Sequence, residues 1–305
     1  MSFFQQSSHR DGILILDKPK GYTSAQLVGM IKKKFHLNKV GHGGTLDPLA
    51  TGVLPICVDR ATKMASYLLE SDKIYEGTFL LGLETDTHDI EGKILQEMQG
   101  VSVSDVDLQR VMEGYLGEIE QVPPMFSAVK KAGKPLYVYA RQEEEVPRSP
   151  RRIHVYAFYI KDRKGHEVSF HIHCSKGTYV RTLCHDLAKM LGTVACLKDL
   201  RRLKTGDLEI RDAIAWNDLS EENFTSLPHW KSLQDMFSGF PHKMVSRTQS
   251  ECIRQGKSPV LSNVELRSLQ QVKCAFLLDH EQRPLAIVKP YPPGQVFKLL
   301  KVFQA

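Results

Sequence analysis

Apolar positions recur along this chain with two spacings, and the elements they predict alternate between strands and helices. Residues 13–16, Ile13-Leu14-Ile15-Leu16, are an unbroken apolar run that ends at Asp17-Lys18-Pro19-Lys20-Gly21, so a short strand should enter a turn. Thr23 or Ser24 can cap a helix with the stripe Leu27, Val28, Ile31 and Phe35, and Lys32 to Lys34 suit its negative end. Ala61, Met64, Ala65 and Leu68 mark a second helix. Tyr75, Gly77, Phe79, Leu81 and Leu83 alternate along one strand face. Ser104 opens a helix striped by Leu108, Val111, Met112, Tyr115 and Leu116 and stopped by Gly117. Ile153, Val155, Ala157 and Tyr159, then Val168, Phe170, Ile172 and Cys174, predict two strands joined near Lys164-Gly165. After the turn Ser175-Lys176-Gly177, residues Leu183, Leu187 and Leu191 share a helix face. From about Phe237 the elements shorten: a helix over 250–255 closed by Gly256, and strands near 273–278, 285–289 and 296–302.

Bulk properties narrow the class. A length of 305 residues suits one large domain plus a small one. With 42% hydrophobic and 25% charged residues, the chain reads as globular, and a net charge of +6 permits nucleic-acid binding without requiring it. No apolar run reaches membrane-span length, and the N-terminal MSFFQQSSHRDG lacks a signal-peptide pattern, so the expected location is the cytoplasm. Cys57, Cys174, Cys184, Cys196, Cys252 and Cys274 lack paired short spacings, which argues against a disulfide framework or structural zinc.

The densest chemistry lies in residues 41–55, GHGGTLDPLATGVLP. Four glycines in so short a run argue against helix or strand there. Pro48 removes a donor and pushes Asp47 out of helical geometry, so Asp47 should stand on a rigid corner with its carboxylate projecting. Lys39, Arg60 and Lys63 flank the run, which makes Asp47 a site candidate, although an ordinary Asp-Pro turn has the same composition. The cluster Asp86, His88, Asp89 and Glu91 reads as a solvated loop rather than a metal site. Residues 121–152 interleave Lys130, Lys131, Lys134, Arg148, Arg151 and Arg152 with Phe126, Tyr137 and Tyr139. Rings stack on bases while cations meet phosphates, so the segment suits a nucleic-acid arm as well as a surface hairpin. Arg181 falls in a first helical turn, where a cation is disfavoured by roughly a few tenths of a kcal/mol. Either it has an anionic partner or it is simply exposed. Residues 198–206 form a basic patch.

Several of these strings resemble one family. GHGGTLDPLATGVLP is similar to the central motif of the TruB family, the bacterial tRNA pseudouridine(55) synthases, and KPKGYTS, VPPMFSAVK, GKPLYVYAR, SKGTYVRT and LRRLKTG resemble further blocks of it, in order, over roughly the first 210 residues. The resemblance implies an α+β pseudouridine-synthase fold: a mixed, largely antiparallel central sheet flanked by helices, with a small C-terminal β-rich PUA-like domain. The implied domains are a catalytic unit over 1–236, with a thumb-like RNA-binding insertion at about 121–152, and a small unit over 237–305. The implied reaction breaks the N1–C1′ bond of uridine 55 in the tRNA T-arm, turns the uracil and rejoins it through C5, without cofactor or metal. Asp47 becomes the nucleophile, attacking C1′ or C6 or instead removing a C2′ proton. Arg181 would hold that carboxylate charged and aimed, its planar fork fixing orientation better than lysine. Tyr75 would stack on the flipped uracil, with Tyr179 and Leu200 as further walls of the base pocket. His42 would enter the RNA loop where the uridine has left. Lys18 and Pro19 take a structural role, and the protein is expected to act as a monomer.

Three other readings compete with this one. A guide-RNA-dependent relative is disfavoured by the chain's own insertion and its lack of long basic tails. A non-catalytic RNA-binding protein or tRNA chaperone is disfavoured by intact Asp47, Tyr75 and Arg181. A glycosidase would need a second carboxylate as general acid, and none stands out in the central loop.

Overall fold

The computed structural model describes residues 10–238, 241–257, 275–289 and 298–303. Its first strand, β1 (Gly12–Lys18), accounts for the unbroken apolar run. Leu14 and Leu16 face one core while Ile13 and Ile15 face another, so no position is left for a polar residue. Helix α1 (Ser24–Lys34) follows, with Thr23 as N-cap in a reciprocal capping box with Gln26.

The run 41–55 is only partly a loop. Its ends are strands β2 (Val40–His42) and β3 (Thr51–Val58), and residues 43–50 form the turn between them. Gly43 and Gly44 do lie in the turn, whereas Gly41 is accommodated in β2 and Gly52 in β3, where a neighbouring backbone leaves no room for a side chain. A 3-10 turn (Asp59–Met64) leads into α2 (Ala65–Glu70) and then β4 (Lys73–Leu81), whose odd-numbered residues are buried. Leu83 does not continue β4: Gly82, at φ +88, breaks the strand, and Leu83 begins the hairpin β5 (Leu83–Thr85) and β6 (Ile94–Glu97). Helix α3 (Asp105–Glu113) stops at Gly114 rather than Gly117, which leaves Leu116 exposed ahead of β7 (Gly117–Gln121). Within 121–152 lie β8 (Lys130–Lys131), β9 (Lys134–Pro135) and α4 (Leu136–Ala140).

Strands β10 (Arg151–Lys164) and β11 (Glu167–Cys174) pair antiparallel with a register shift between Val155 and Ala157. That bulge flips the alternation, so Phe158 is 2% exposed and Tyr159 44% exposed, the reverse of the simple two-residue expectation. Helix α5 (Val180–Met190) then delivers the chain to β12 (Ala195–Thr205). Thus the basic patch at 198–206 is largely a central strand. The chain continues through β13 (Leu208–Glu209), β14 (Ile214–Ala215), β15 (Trp230–Ser232) and α6 (Leu233–Ser238).

The main sheet runs β14-β1-β3-β12-β4-β11-β10-β7, with β2 on β3, β13 on β12 and β15 on β1. Within this sheet, among the described residues, only β1/β14 and β3/β12 are parallel pairs of strands. Helices α1, α3 and α5 contribute to the core on one face. On the other face, Ile13, Ile15, Val53 and Cys57 pack with α2, with Phe276 and Ile287 of a second sheet, and with Phe303 just after its last strand. That second sheet is ordered β16 (His242–Met244), β17 (Ala275–Leu278), β18 (Pro284–Lys289) and β19 (Lys298–Val302). Helix α7 (Arg247–Arg254) sits beside it, capped by Ser246 and starting earlier than residue 250. The fold is therefore α+β, with a mixed and largely antiparallel central sheet and a separate C-terminal β-rich sheet. A division at 236/237 falls inside α6. Residues 273–274 and 296–297, expected in strands, lie outside the described residues, as does Cys274. Cys57, Cys174, Cys184 and Cys196 are buried free thiols and Cys252 is a half-buried one. No described helix is long and apolar enough to cross a membrane.

Candidate active site

Asp47 is carried by the 43–50 turn, and every part of that turn is tied down. Leu46 is gripped by Ser24, whose Oγ accepts from the Leu46 amide at 2.9 Å and donates to its carbonyl at 3.1 Å. The Asp47 carbonyl accepts from the Ala50 amide at 3.1 Å, which closes the corner at Pro48. Lys18, buried at the end of β1, donates to the carbonyls of Pro19 (3.0 Å), Pro48 (3.2 Å) and Ala50 (2.6 Å). Burial pushes the Lys18 ammonium down to about 8, against a pull upward from the Asp47 carboxylate. The structural role of Lys18 thus takes a definite form: it fastens the far side of the aspartate's turn.

Arg181 lies under the carboxylate. Its side chain is 5% exposed, whereas that of Asp47 is 42% exposed, so the cation is enclosed and the anion faces the cleft. Nε stands 3.0 Å from Asp47 Oδ2, but its N–H is not aligned on that oxygen, so the contact is an ion pair rather than a straight hydrogen bond. The other nitrogens are committed: Nη1 donates to the Thr87 carbonyl at 3.0 Å, and Nη2 donates to the Phe126 carbonyl at 2.6 Å. Nη1 also lies 3.7 Å from Asp89 Oδ2. Arg181 therefore has two anionic partners and joins three separate segments of chain.

These side chains line a cleft of about 240 Å³. Tyr75, Tyr179, Leu200, Leu46 and Leu197 supply its apolar wall. Tyr75 comes from β4 and is buried, which raises its phenol; the facing Arg202 guanidinium offsets part of that rise. Tyr179 is the N-cap residue of α5 and makes no side-chain cap. Gln121, at the end of β7, holds it instead: its Oε1 accepts from the Tyr179 amide at 2.9 Å and its Nε2 donates to the carbonyl at 3.0 Å. Burial raises the Tyr179 phenol too. Lys73, also in the cleft wall, caps the end of α2 by donating to the carbonyls of Leu68 and Leu69, and burial pushes it down to about 8.

Asp47, Arg181, Tyr75, Tyr179 and Leu200 are brought together around this one cleft. His42 is not among its lining residues. It sits on β2, half-buried, with Nδ1 enclosed and without a hydrogen-bond partner, and burial followed by the nearby Arg202 lowers its proton affinity.

Two features escape a reading of the sequence. The loop 85–92 is not solvated at its centre: Asp89 is buried, accepts from Thr87 Oγ1 at 2.7 Å and from the Glu91 amide at 3.1 Å, and is raised by burial. The next ring, His88, stacks on His185 at 3.8 Å and is pushed down to about 4, by burial first and then by that neighbour. Among the described residues no group of His, Cys, Asp and Glu is arranged to hold a metal. The second feature is Arg202, which reads in sequence as one of a run of surface cations and is 1% exposed. Its partners lie more than a hundred residues away, so no local pattern marks it.

Comparison with known proteins supplies the family. Residues 32–180 match the N-terminal domain model of the TruB family pseudouridylate synthases, and residues 181–236 match a tRNA pseudouridylate synthase B C-terminal domain. A protein from Clostridium kluyveri named tRNA pseudouridine synthase B is 42% identical over 248 residues, covering 81% of this chain and 85% of that protein. The chain belongs to the TruB family of pseudouridine synthases. A relative of the same name from Syntrophotalea carbinolica is 45% identical over 204 residues, 67% of each chain, and one from Psychrobacter cryohalolentis is 46% identical over 213 residues, 68% of this chain and 59% of its own. In structure, a chain of a Cbf5–Nop10–Gar1 complex superposes with a TM-score of 0.73 at 25% identity, covering 97% of this chain and 85% of the other. A chain of an H/ACA RNP bound to a substrate RNA superposes at 0.69 with 22% identity and 97% and 86% coverage, a likeness of fold alone. The TruB N-terminal model ends at residue 180, so Asp47, Tyr75 and Tyr179 fall within it and Arg181, Leu200 and Arg202 within the second.

Proposed function

We propose that the protein converts uridine 55 in the T-arm loop of tRNA to pseudouridine, with Asp47 as nucleophile. The observation that carries this reading is a single carboxylate, facing a cleft with an apolar wall and backed at 3.0 Å by an enclosed guanidinium. The names of the relatives supply the tRNA substrate. The target base must leave its stack to enter a cleft of this size, at a cost of roughly a few kcal/mol. Tyr75 then stacks on the uracil, Tyr179 and Leu200 close the pocket, and His42 fills the gap left in the RNA, which requires it to leave its half-buried position. The N1–C1′ bond breaks, the uracil turns within the cleft, and the C5–C1′ bond forms. The C5 proton departs to solvent and N1 gains one. Attack at C1′, attack at C6 and removal of the C2′ proton each require only one carboxylate. We further read residues 121–152 as the arm that grips the RNA, residues 237–305 as a small PUA-like unit, and the enzyme as a cytoplasmic monomer.

The test is tritium release from C5-labelled uridine in an unmodified tRNA transcript. Wild type should release it without any guide RNA; Asp47→Asn should abolish release while leaving tRNA affinity within a few fold. Retained activity in Asp47→Asn defeats the assignment of the nucleophile. Activity only in the presence of a second RNA would instead favour the guide-dependent reading.

A further inference from the structure

Of the cations that line the cleft, Arg202 has no part in the reaction as set out above. Its burial is complete, and among the described residues no carboxylate stands within ion-pair distance of it. Removing a guanidinium from water is expensive, and hydrophobic residues of equal volume would often serve stability as well or better. Its hydrogen bonds show what the charge is used for. Nε donates to the Val53 carbonyl at 2.7 Å, Nη2 to the Gly44 carbonyl at 3.0 Å, and Nη1 to the Thr45 carbonyl at 3.3 Å. Gly44 and Thr45 lead into Asp47, and Val53 follows it, so one planar group grips the chain on both sides of the nucleophile. On the neighbouring strand Arg202 is paired in register with Tyr75. The backbone is fitted to it as well: a Cβ on Gly52 would stand 2.2 Å from the Arg202 carbonyl oxygen.

We propose that Arg202 is a positioning residue of the reaction, holding the Asp47-bearing turn and the Tyr75 ring in one rigid frame. It touches neither bond that changes and acts through those two residues. The proposal rests on the roles given to Asp47 and Tyr75 above. Lysine at this position keeps the charge but has a single nitrogen, so it cannot reproduce three donors spread across a plane.

The experiment is a double-mutant cycle on the full-length chain, comparing wild type, Arg202→Lys, Tyr75→Phe and the double variant by single-turnover tritium release, with RNA affinity and melting temperature measured alongside. Arg202→Lys should fold, bind RNA within about threefold of wild type, and lose roughly 30- to 100-fold in rate, the penalty of a slightly misplaced reacting group. In the Tyr75→Phe background the same change should cost at least about threefold less than in wild type, because residues that share one frame are not additive. A folded Arg202→Lys with a rate within about threefold of wild type overturns the proposal, as does an equal loss in both backgrounds, which marks a merely structural role. Should the lysine variant not fold, Arg202→Gln, which keeps two donors without the charge, takes its place; if both fail to fold, Arg202 serves stability alone and the proposal falls. Asp47→Asn runs as the control: activity there would defeat the nucleophile assignment, whereas an inactive Asp47→Asn with an additive cycle defeats only the role of Arg202.

Discussion

Replacing Arg181 by lysine keeps the positive charge and removes the fork. In the native site three nitrogens serve four acceptors: Nε faces Asp47, Nη1 serves the Thr87 carbonyl and Asp89, and Nη2 serves the Phe126 carbonyl. A lysine ammonium has one nitrogen and three protons, so a position that keeps Asp47 abandons at least one enclosed carbonyl. Each abandoned buried acceptor costs about 1–3 kcal/mol. In a chain of this size one or two such losses lower the melting temperature by roughly 2–10 °C. The larger effect falls on rate, because a reacting group displaced by about 1 Å loses on the order of 100-fold. The measurement is kcat and KM for tritium release, with a thermal melt of the same preparation. The expected result is a fall in kcat of about 100-fold or more with KM for tRNA changed by less than about threefold. A variant with normal kcat and a raised KM would refute the reasoning, since Arg181 would then serve binding rather than the aim of Asp47.

Three further outcomes follow from the same geometry. Gly52 sits at φ +100 with the Arg202 backbone oxygen 2.2 Å from where a Cβ would go, so Gly52→Ala should destabilise the fold by roughly 4 kcal/mol or more in a urea melt, and a variant within about 1 kcal/mol of wild type would show that the strand can shift. Gln121→Leu strips the amide and the carbonyl of Tyr179 of their partners and should cost about 2–4 kcal/mol together with hydrogen-exchange protection at the Tyr179 amide; unchanged exchange there would refute the clamp. Lys18 and Lys73 titrate at about 8 instead of near 10.5, so activity should decline above pH 8 as Lys18 gives up a donor beside Asp47. Stability should move the other way: between about 8 and 10.5 the unfolded chain binds more protons than the folded one, so these two groups add stability as pH climbs. Lys18→Arg should displace the part of the alkaline activity limb that belongs to Lys18, and an unmoved limb would assign it to Lys73 or to the RNA.

How much of this was legible in the sequence depended on whether the relevant contacts are local. Thr23, Leu27 and Ile31 announce α1 because capping and helical spacing act within one or two turns, and the alternation from Lys73 to Leu81 announces β4 for the same reason. The Asp47 corner was legible because proline restricts its predecessor whatever the fold. The phase error at Tyr159 came from a bulge, which adds one residue without changing composition. The failure at Arg202 is of another kind. In the string LRRLKTG nothing separates Arg201, half-exposed and paired with Asp17, from Arg202, enclosed beneath the Asp47 turn; only the partners of β12 on either side decide which arginine faces inward. Asp89 was missed for a similar reason, because its anchoring cation lies on α5.

Those two omissions change the electrostatic account of the site. From sequence alone it is a lone aspartate with one arginine. In the structure Lys18, Arg181 and Arg202 enclose the Asp47 turn, and six of their seven nitrogens, all but Arg181 Nε, donate to a backbone carbonyl. Cations so anchored cannot swing to follow a substrate, and they need no reorganisation when charge develops, which is the condition under which fixed donors contribute most to rate. The carboxylate is the exception: it projects from a turn whose backbone is held on both sides, and its own oxygens remain open to the cleft. Motion in the reaction must then belong to the RNA and to groups outside the clamp. His42, half-buried on β2 with an unpartnered ring nitrogen, is one of these, and its displacement by an incoming loop would leave the Asp47–Arg181–Arg202 frame unchanged.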